Sequence, residues 1–185
     1  IMPSLNNISG ERVDREDSVT YPSSAPDEPG HDIVFSDGFP TETGRALLKS
    51  TTVIPPDEMP DDEYPMILTT GRQLEHWHPG AITRRAAILD ELEPEAVASL
   101  SPGDIAGLGI AAGDMIRIAT RRGTVEMKVR SDDALPDGVV FIPFCFAEAP
   151  ANMLTNPQLD PIGKIPEFKF CAARVEPGEQ TAAAE

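Results

Sequence analysis

Residues 114–120 and 124–130 alternate apolar with polar side chains, and Arg121-Arg122-Gly123 turns the chain between them. That period of two predicts a hairpin with one buried face. Short apolar runs at residues 66–70, 96–100 and 139–143, each bounded by Gly or Pro, read as further buried strands, and 168–175 reads as the last one. After residue 100, Ser101-Pro102 with Asp104 predicts a short helix. Ser stands at the N-cap, Pro in the first turn and Asp where the dipole favours it. Gly107-Leu108-Gly109 ends it as a C-cap. Several short strands, one helix and frequent turn residues favour a small, mainly β barrel with minor helical decoration.

The first third has a different texture. Residues 1–63 are rich in Pro, Asp, Ser and Gly, with apolar clusters only at 33–36 and 45–48, each a candidate short strand. An irregular arm of this kind buries little surface alone. The acidic, proline-bounded stretch 55–63 reads as a linker. The expected organisation is therefore an arm at 1–63, a compact domain at 64–176 and a disordered tail at 177–185. The first residue is Ile and no signal peptide is visible, so the chain is expected to be a segment of a longer polypeptide.

Charge narrows the function. Fifteen Lys and Arg against 31 Asp and Glu give −16, which disfavours general nucleic-acid binding. No run of about 18 apolar residues predicts a membrane span. Two cysteines, Cys145 and Cys171, make no disulfide framework or metal knuckle. Both lie in apolar runs and read as inert buried thiols. The conspicuous polar cluster is Glu75-His76-Trp77-His78. Three readings stand beside one another: a two-histidine contribution to a metal site, histidines donating to buried carbonyls, and a loop that recognises a ligand by hydrogen bonds and by stacking on Trp77. Arg72, Arg84 and Arg85 near that cluster are cations in an anionic chain, suited to a phosphate or pyrophosphate, or else to ordinary surface ion pairs. No Rossmann fingerprint, P-loop or nucleophile elbow is present.

The pattern Thr-Gly-Arg-x-x-Glu-His-Trp-His over 70–78, followed by Thr83-Arg84-Arg85, resembles the start of the C-terminal cofactor-binding domain of molybdopterin oxidoreductases. The resemblance continues in order through Gly113-Asp114-Met115, Val140-Phe141-Ile142-Pro143, residues 151–156 (Ala-Asn-Met-Leu-Thr-Asn) and residues 167–172 (Glu-Phe-Lys-Phe-Cys-Ala). It is similar to formate dehydrogenase large subunits and to periplasmic nitrate reductases. Residues 156–171 look most like the cytoplasmic, NAD-linked formate dehydrogenases. Pro79 departs from the pattern, where a Thr or Ser hydroxyl is expected.

The resemblance implies a double-psi β-barrel that caps bis(molybdopterin guanine dinucleotide) carrying molybdenum or tungsten. It implies that Thr70, Gly71, Arg72, Glu75, His76, His78, Thr83, Asn152 and Lys169 bind the cofactor. Catalytic residues, metal ligands, iron–sulfur clusters and the NAD site would lie elsewhere in the parent, so the isolated chain is expected to be inactive. Implied partners are the preceding domains and the electron-transfer subunits of the complex, without nucleic acid or membrane insertion, in the cytoplasm. The alternatives are a nitrate reductase or another molybdopterin oxidoreductase, and a free-standing barrel acting as a binding module.

Overall fold

A computed structural model of the chain describes residues 2–178. The chain falls into two units, Ile1–Val53 and Ile54–Glu185.

In the first unit neither candidate strand forms; residues 33–36 and 45–48 lie in turns and irregular backbone. Phe35 takes a left-handed φ of 61° and stacks its ring on Phe39, 5.2 Å away, which closes a turn and not a strand. The regular element is helix α1 (Gly10–Glu16), capped by Ser9, whose hydroxyl accepts from the Arg12 amide. The unit is organised by a buried cation. The Arg12 guanidinium donates to the carbonyls of Asn7, Ala25 and Glu28 and to the Ser23 hydroxyl, and its Nε meets Glu16. Satisfying a buried guanidinium so completely replaces the apolar core this unit lacks.

The second unit is a closed barrel. Its strands are β1 (Met66–Gly71), β2 (Val97–Leu100), β3 (Met115–Ala119), β4 (Thr124–Ser131), β5 (Val139–Pro143) and β6 (Cys171–Pro177), ordered β1-β5-β2-β4-β3-β6. β1 runs parallel to β5, with Ile67 opposite Val139, and β2 runs parallel to β4; the other neighbours are antiparallel. Closure removes the exposed edges that so short a set of strands would otherwise present. The interior holds Leu68, Leu100, Ile116, Ile118, Val140 and Ile142, all fully buried. Along β4 the predicted alternation is realised: Val125, Met127 and Val129 face inward, while Glu126 and Lys128 face out and pair with Arg117 and Glu95.

The predicted helix is α3 (Pro102–Leu108). The Ser101 hydroxyl accepts from the Asp104 amide at 3.0 Å, and Gly109 closes the helix with a left-handed φ of 68°. A further helix, α2 (Ala87–Leu92), is only six residues long and buries no residue, although Ile88, Leu89 and Leu92 stand at helical spacing.

Two boundaries differ from those expected. β6 begins at Cys171 and not at Phe168, because the backbone before it is committed to β1: the Thr70 hydroxyl donates to the Phe168 carbonyl at 2.7 Å. It continues through Pro177, and the Gly178 amide donates to Met115. The rest of the expected tail, 179–185, lies outside the described residues. Residues 54–63 belong with the barrel unit and not with the arm. Glu58 accepts from Arg122 and from the Ala172 amide, and Asp61 pairs with Arg121, whose guanidinium covers the Tyr64 ring at 4.6 Å. No helix among the described residues is long and apolar enough to cross a membrane.

Candidate functional site at the end of strand β1

β1 delivers Thr70, Gly71 and Arg72 to the barrel rim. The Thr70 hydroxyl is spent on Phe168, and its carbonyl accepts from the Lys169 ammonium. These two bonds bring Lys169 to the end of β1, although it follows Thr70 by 99 positions in sequence. Lys169 also lies over the Phe144 and Phe168 rings at 5.8 and 5.6 Å. Gly71 is required by packing: a β-carbon there would meet the Phe141 ring at 2.3 Å.

Beyond Gly71 the chain forms a pocket of about 590 Å³ lined by Arg72, Gln73, Glu75, His76, Trp77 and Thr83, among others. The loop is closed by Thr83, whose hydroxyl accepts from the Trp77 amide at 3.0 Å. Its base is His76. The imidazole is fully buried, edge-on to Phe146, with Nε2 2.8 Å from the Glu93 carbonyl. A carbonyl only accepts, so Nε2 donates here. Nδ1 is buried without a partner, as is Nε2 of Gln73. The Glu93 carboxylate in turn receives both Arg130 nitrogens at 2.7 and 3.1 Å, which holds it below the usual carboxylate range.

His78 takes a left-handed φ of 50° and sets its ring 4.5 Å from Trp77, whose other contact is the Arg72 guanidinium at 5.4 Å. Thus His76 matches the reading of a histidine bonded to a buried carbonyl. No group of three or more His, Cys, Asp or Glu among the described residues could hold a metal. Cys145 and Cys171 are buried, and burial pushes both thiols up, away from the thiolate.

The three arginines separate. Arg84 is bound by Glu148 at 2.6–2.8 Å and by Asp90 at 3.2 Å, which keeps it charged and occupied. Among the described residues of the barrel unit, Arg72, Arg85, Lys164 and Lys169 have no carboxylate within 4 Å, while the other cations are paired. Asn152 does not line the pocket. It is exposed on a 3-10 turn, Ala151–Met153, which packs its Met153 carbonyl against Gly123 in the β3–β4 hairpin. Asn156, by contrast, is consumed internally by Glu167, Phe170 and Gln158. Gln73 is a pocket residue that no pattern in the sequence singled out.

Residues 66–172 match the family described as "Molydopterin dinucleotide binding domain". The chain belongs to this family. It is 38% identical over 176 residues to the F420-dependent formate dehydrogenase 1 subunit alpha of Methanococcus maripaludis, covering 95% of this chain and 26% of that protein. The F420-dependent formate dehydrogenase subunit alpha of Methanocaldococcus jannaschii matches at the same identity and coverage. The chain thus spans about a quarter of the length of these relatives. Among solved structures, acetylene hydratase from Pelobacter acetylenicus superposes with a TM-score of 0.56 at 25% identity, over 63% of this chain and 19% of that one. These relatives are named for F420 and not for the NAD expected from the sequence. The cofactor class stands: this is a molybdopterin dinucleotide-binding barrel.

The residues present fit such a group. Unpaired cations beside Thr70 suit its phosphates, and buried atoms without partners, an acceptor on His76 and a donor on Gln73, line the adjoining pocket.

Proposed function

We propose that this domain caps a pterin guanine dinucleotide in the alpha subunit of a formate dehydrogenase. The bound group, with molybdenum or tungsten, supplies the two-electron chemistry that converts formate to carbon dioxide. The chain's own part is to hold that group. Arg72 and Lys169 neutralise phosphate oxygens at the end of β1, Arg72 through its fork and Lys169 as a point charge. Thr70 and Gly71 place them, Thr70 by its bonds to residues 168 and 169 and Gly71 by admitting the Phe141 ring. Glu75, half-buried in the pocket, accepts from the N–H edge of a guanine or pterin ring. His76 and Thr83 keep the loop in shape and His78 buttresses Trp77, while Asn152 lies on the 151–153 turn outside the pocket.

The observation that carries this reading is the distribution of charge. In a chain of net −16, the cations without carboxylate partners include Arg72, Arg85 and Lys169, on or beside one loop. Similarity to a hydratase as well as to dehydrogenases fits a barrel that binds the cofactor and leaves the choice of reaction to other domains. We assign the electron-transfer step to partner subunits and place the assembly in the cytoplasm; the relatives are named F420-dependent.

The test is Arg72→Ala in the full-length parent, with molybdenum, tungsten and guanine nucleotide counted per folded protein. A charge-assisted bond contributes about 1.5–3 kcal/mol, so retention should fall roughly ten- to a hundredfold. Arg72→Lys should fall less, because it keeps the charge and loses the fork. Full cofactor content in both variants would refute the assignment.

A further inference from the structure

We propose that Glu93 and Arg130 are positioning residues: their ion pair supports the loop segment 73–76 and so aims the Glu75 carboxylate into the pocket at the end of β1. That this carboxylate meets a ring edge rests on the function proposed above; the support itself does not. Glu93 lies outside every motif, yet it holds the loop at two points. Its carbonyl accepts from Nε2 of the fully buried His76 at 2.8 Å. Its carboxylate takes both terminal nitrogens of Arg130, at 2.7 and 3.1 Å, from β4. Arg130 first, and Gln73 after it, favour the ionised carboxylate against the burial that opposes it. The Gln73 amide makes no full hydrogen bond there, but it lies close enough to Glu93 to act on its charge. Positions 73 and 76 therefore both lean on residue 93, and Leu74 and Glu75 span the gap between them. Leu74 is 95% exposed and adds no packing, so its supported neighbours set the direction of Glu75. The Arg130 guanidinium is favoured in its charged form first by Glu93 and then by Glu75, which places it in the field of the pocket acid as well.

Helix α2 acquires a role in this arrangement. It brings Leu89 to the pocket wall and ends where the Glu93 amide donates to the Leu89 carbonyl. Arg84 ties it down through Asp90 at 3.2 Å. So short a helix does not hold itself, and its terminal residue needs a partner in the barrel. β4 is paired on both sides, with β2 and with β3, and is the rigid element that supplies one. A two-pronged contact between guanidinium and carboxylate fixes direction as well as distance, which a point charge does not. Stability alone would be served as well by an apolar pair at these positions. It would not require the same residue to hold His76 through its carbonyl. Neither Glu93 nor Arg130 lines the pocket, so both act through the residues that do.

The test uses two variants of the full-length parent. Arg130→Met keeps most of the apolar stem and removes fork and charge, whereas Arg130→Lys keeps the charge alone. Amide hydrogen exchange, read by peptide mass spectrometry, follows the loop without reference to cofactor. Peptide 72–78, in which the Trp77 amide is bonded to Thr83, should exchange roughly tenfold faster in Arg130→Met and less so in Arg130→Lys. Peptide 124–129 of β4 should be unchanged. Cofactor retention, counted as guanine nucleotide per folded protein, should fall about three- to tenfold in Arg130→Met, a coupling of ordinary size. Glu75→Gln should fall comparably, and the double variant no further than the worse single one, because both changes disable one carboxylate. Losses that multiply would show that Arg130 does not act through Glu75, and would overturn the proposal. So would unchanged exchange at 72–78, or exchange raised equally throughout the barrel, which marks an ordinary contribution to stability. If exchange rises at 72–78 while Arg130→Met, Glu75→Gln and Arg72→Ala all keep full cofactor, the proposed function fails and the support stands.

Discussion

Glu58→Gln is the sharpest probe of how the acidic segment before β1 is held. Glu58 and Arg122 are largely buried, and the carboxylate accepts from both Arg122 terminal nitrogens and, at 2.8 Å, from the Ala172 amide in β6. Arg122 also donates to the Leu154 carbonyl at 2.9 and 3.0 Å, so one ion pair joins four segments. Glutamine is nearly isosteric but presents one N–H₂ group to partners that only donate. Losing a hydrogen bond to a charged group costs about 1.5–3 kcal/mol, and the pair is not fully buried, so about 2 kcal/mol is expected. For a unit of this size that is a fall in Tm of roughly 6–10 °C. The pH dependence gives a second check. Burial alone would raise the Glu58 carboxyl, but Arg122 and the Ala172 amide outweigh it, and the carboxyl lies below its ordinary 4.5. A depressed carboxyl contributes its stability in full above its unfolded value and loses it as pH falls through the folded one. Melts followed by circular dichroism should therefore show the full gap between wild type and Glu58→Gln at pH 7, narrowing below pH 4.5. Equal melting at pH 7, or a gap that persists undiminished to about pH 3, would refute the ion pair as the origin of the effect.

Gly71→Ala should destabilise the barrel by about 1–3 kcal/mol, because the new methyl meets the Phe141 ring and not open space. Phe141→Leu in the same chain should recover part of that loss, and the urea midpoints of the single and double variants read it directly. Limited proteolysis should cut within 32–53 and leave a core starting near Ile54, because Glu58 and Asp61 anchor the following segment. A core starting at Tyr64 would show that these anchors do not hold the segment.

The barrel was legible where one face of a strand is wet and the other dry, as in β4, because burial then writes a period of two into the sequence. The helix α3 was legible through chemistry, since Ser101, Asp104 and Gly109 are the residues that helix ends demand. Unit 1 was not legible for a reason of the same kind: its centre is the Arg12 guanidinium, and a polar hub satisfied by carbonyls leaves no periodic mark. Residues 57–61 misled because a strap and a linker share a composition; only the partners Arg122 and Ala172 distinguish them. α2 went unseen because six residues are too few to separate a helical period from a short apolar run, even with Ile88, Leu89 and Leu92 at helical spacing.

The same distinction governs the site. Spacing marked residues 72–85 only as an Arg/His loop with several readings open, and which of them face a ligand depends on partners elsewhere. His76 and His78 look equivalent in sequence, yet Glu93 claims the first and Trp77 the second. Arg72 and Arg84 look equivalent too, and Glu148 with Asp90 claims one of them. In an anionic protein a carboxylate is seldom far away, so a cation left unpaired reflects the placement of the acids as much as of the cation itself. Arg72 and Lys169 are kept free beside one strand end by an arrangement that spends the Thr70 carbonyl on the lysine and Trp77 on the arginine, and neither of these neutralises charge. In the proposed function an anionic dinucleotide meets two cations that have no carboxylate within 4 Å, an arrangement set by tertiary partners such as the Thr70 carbonyl and the Trp77 ring.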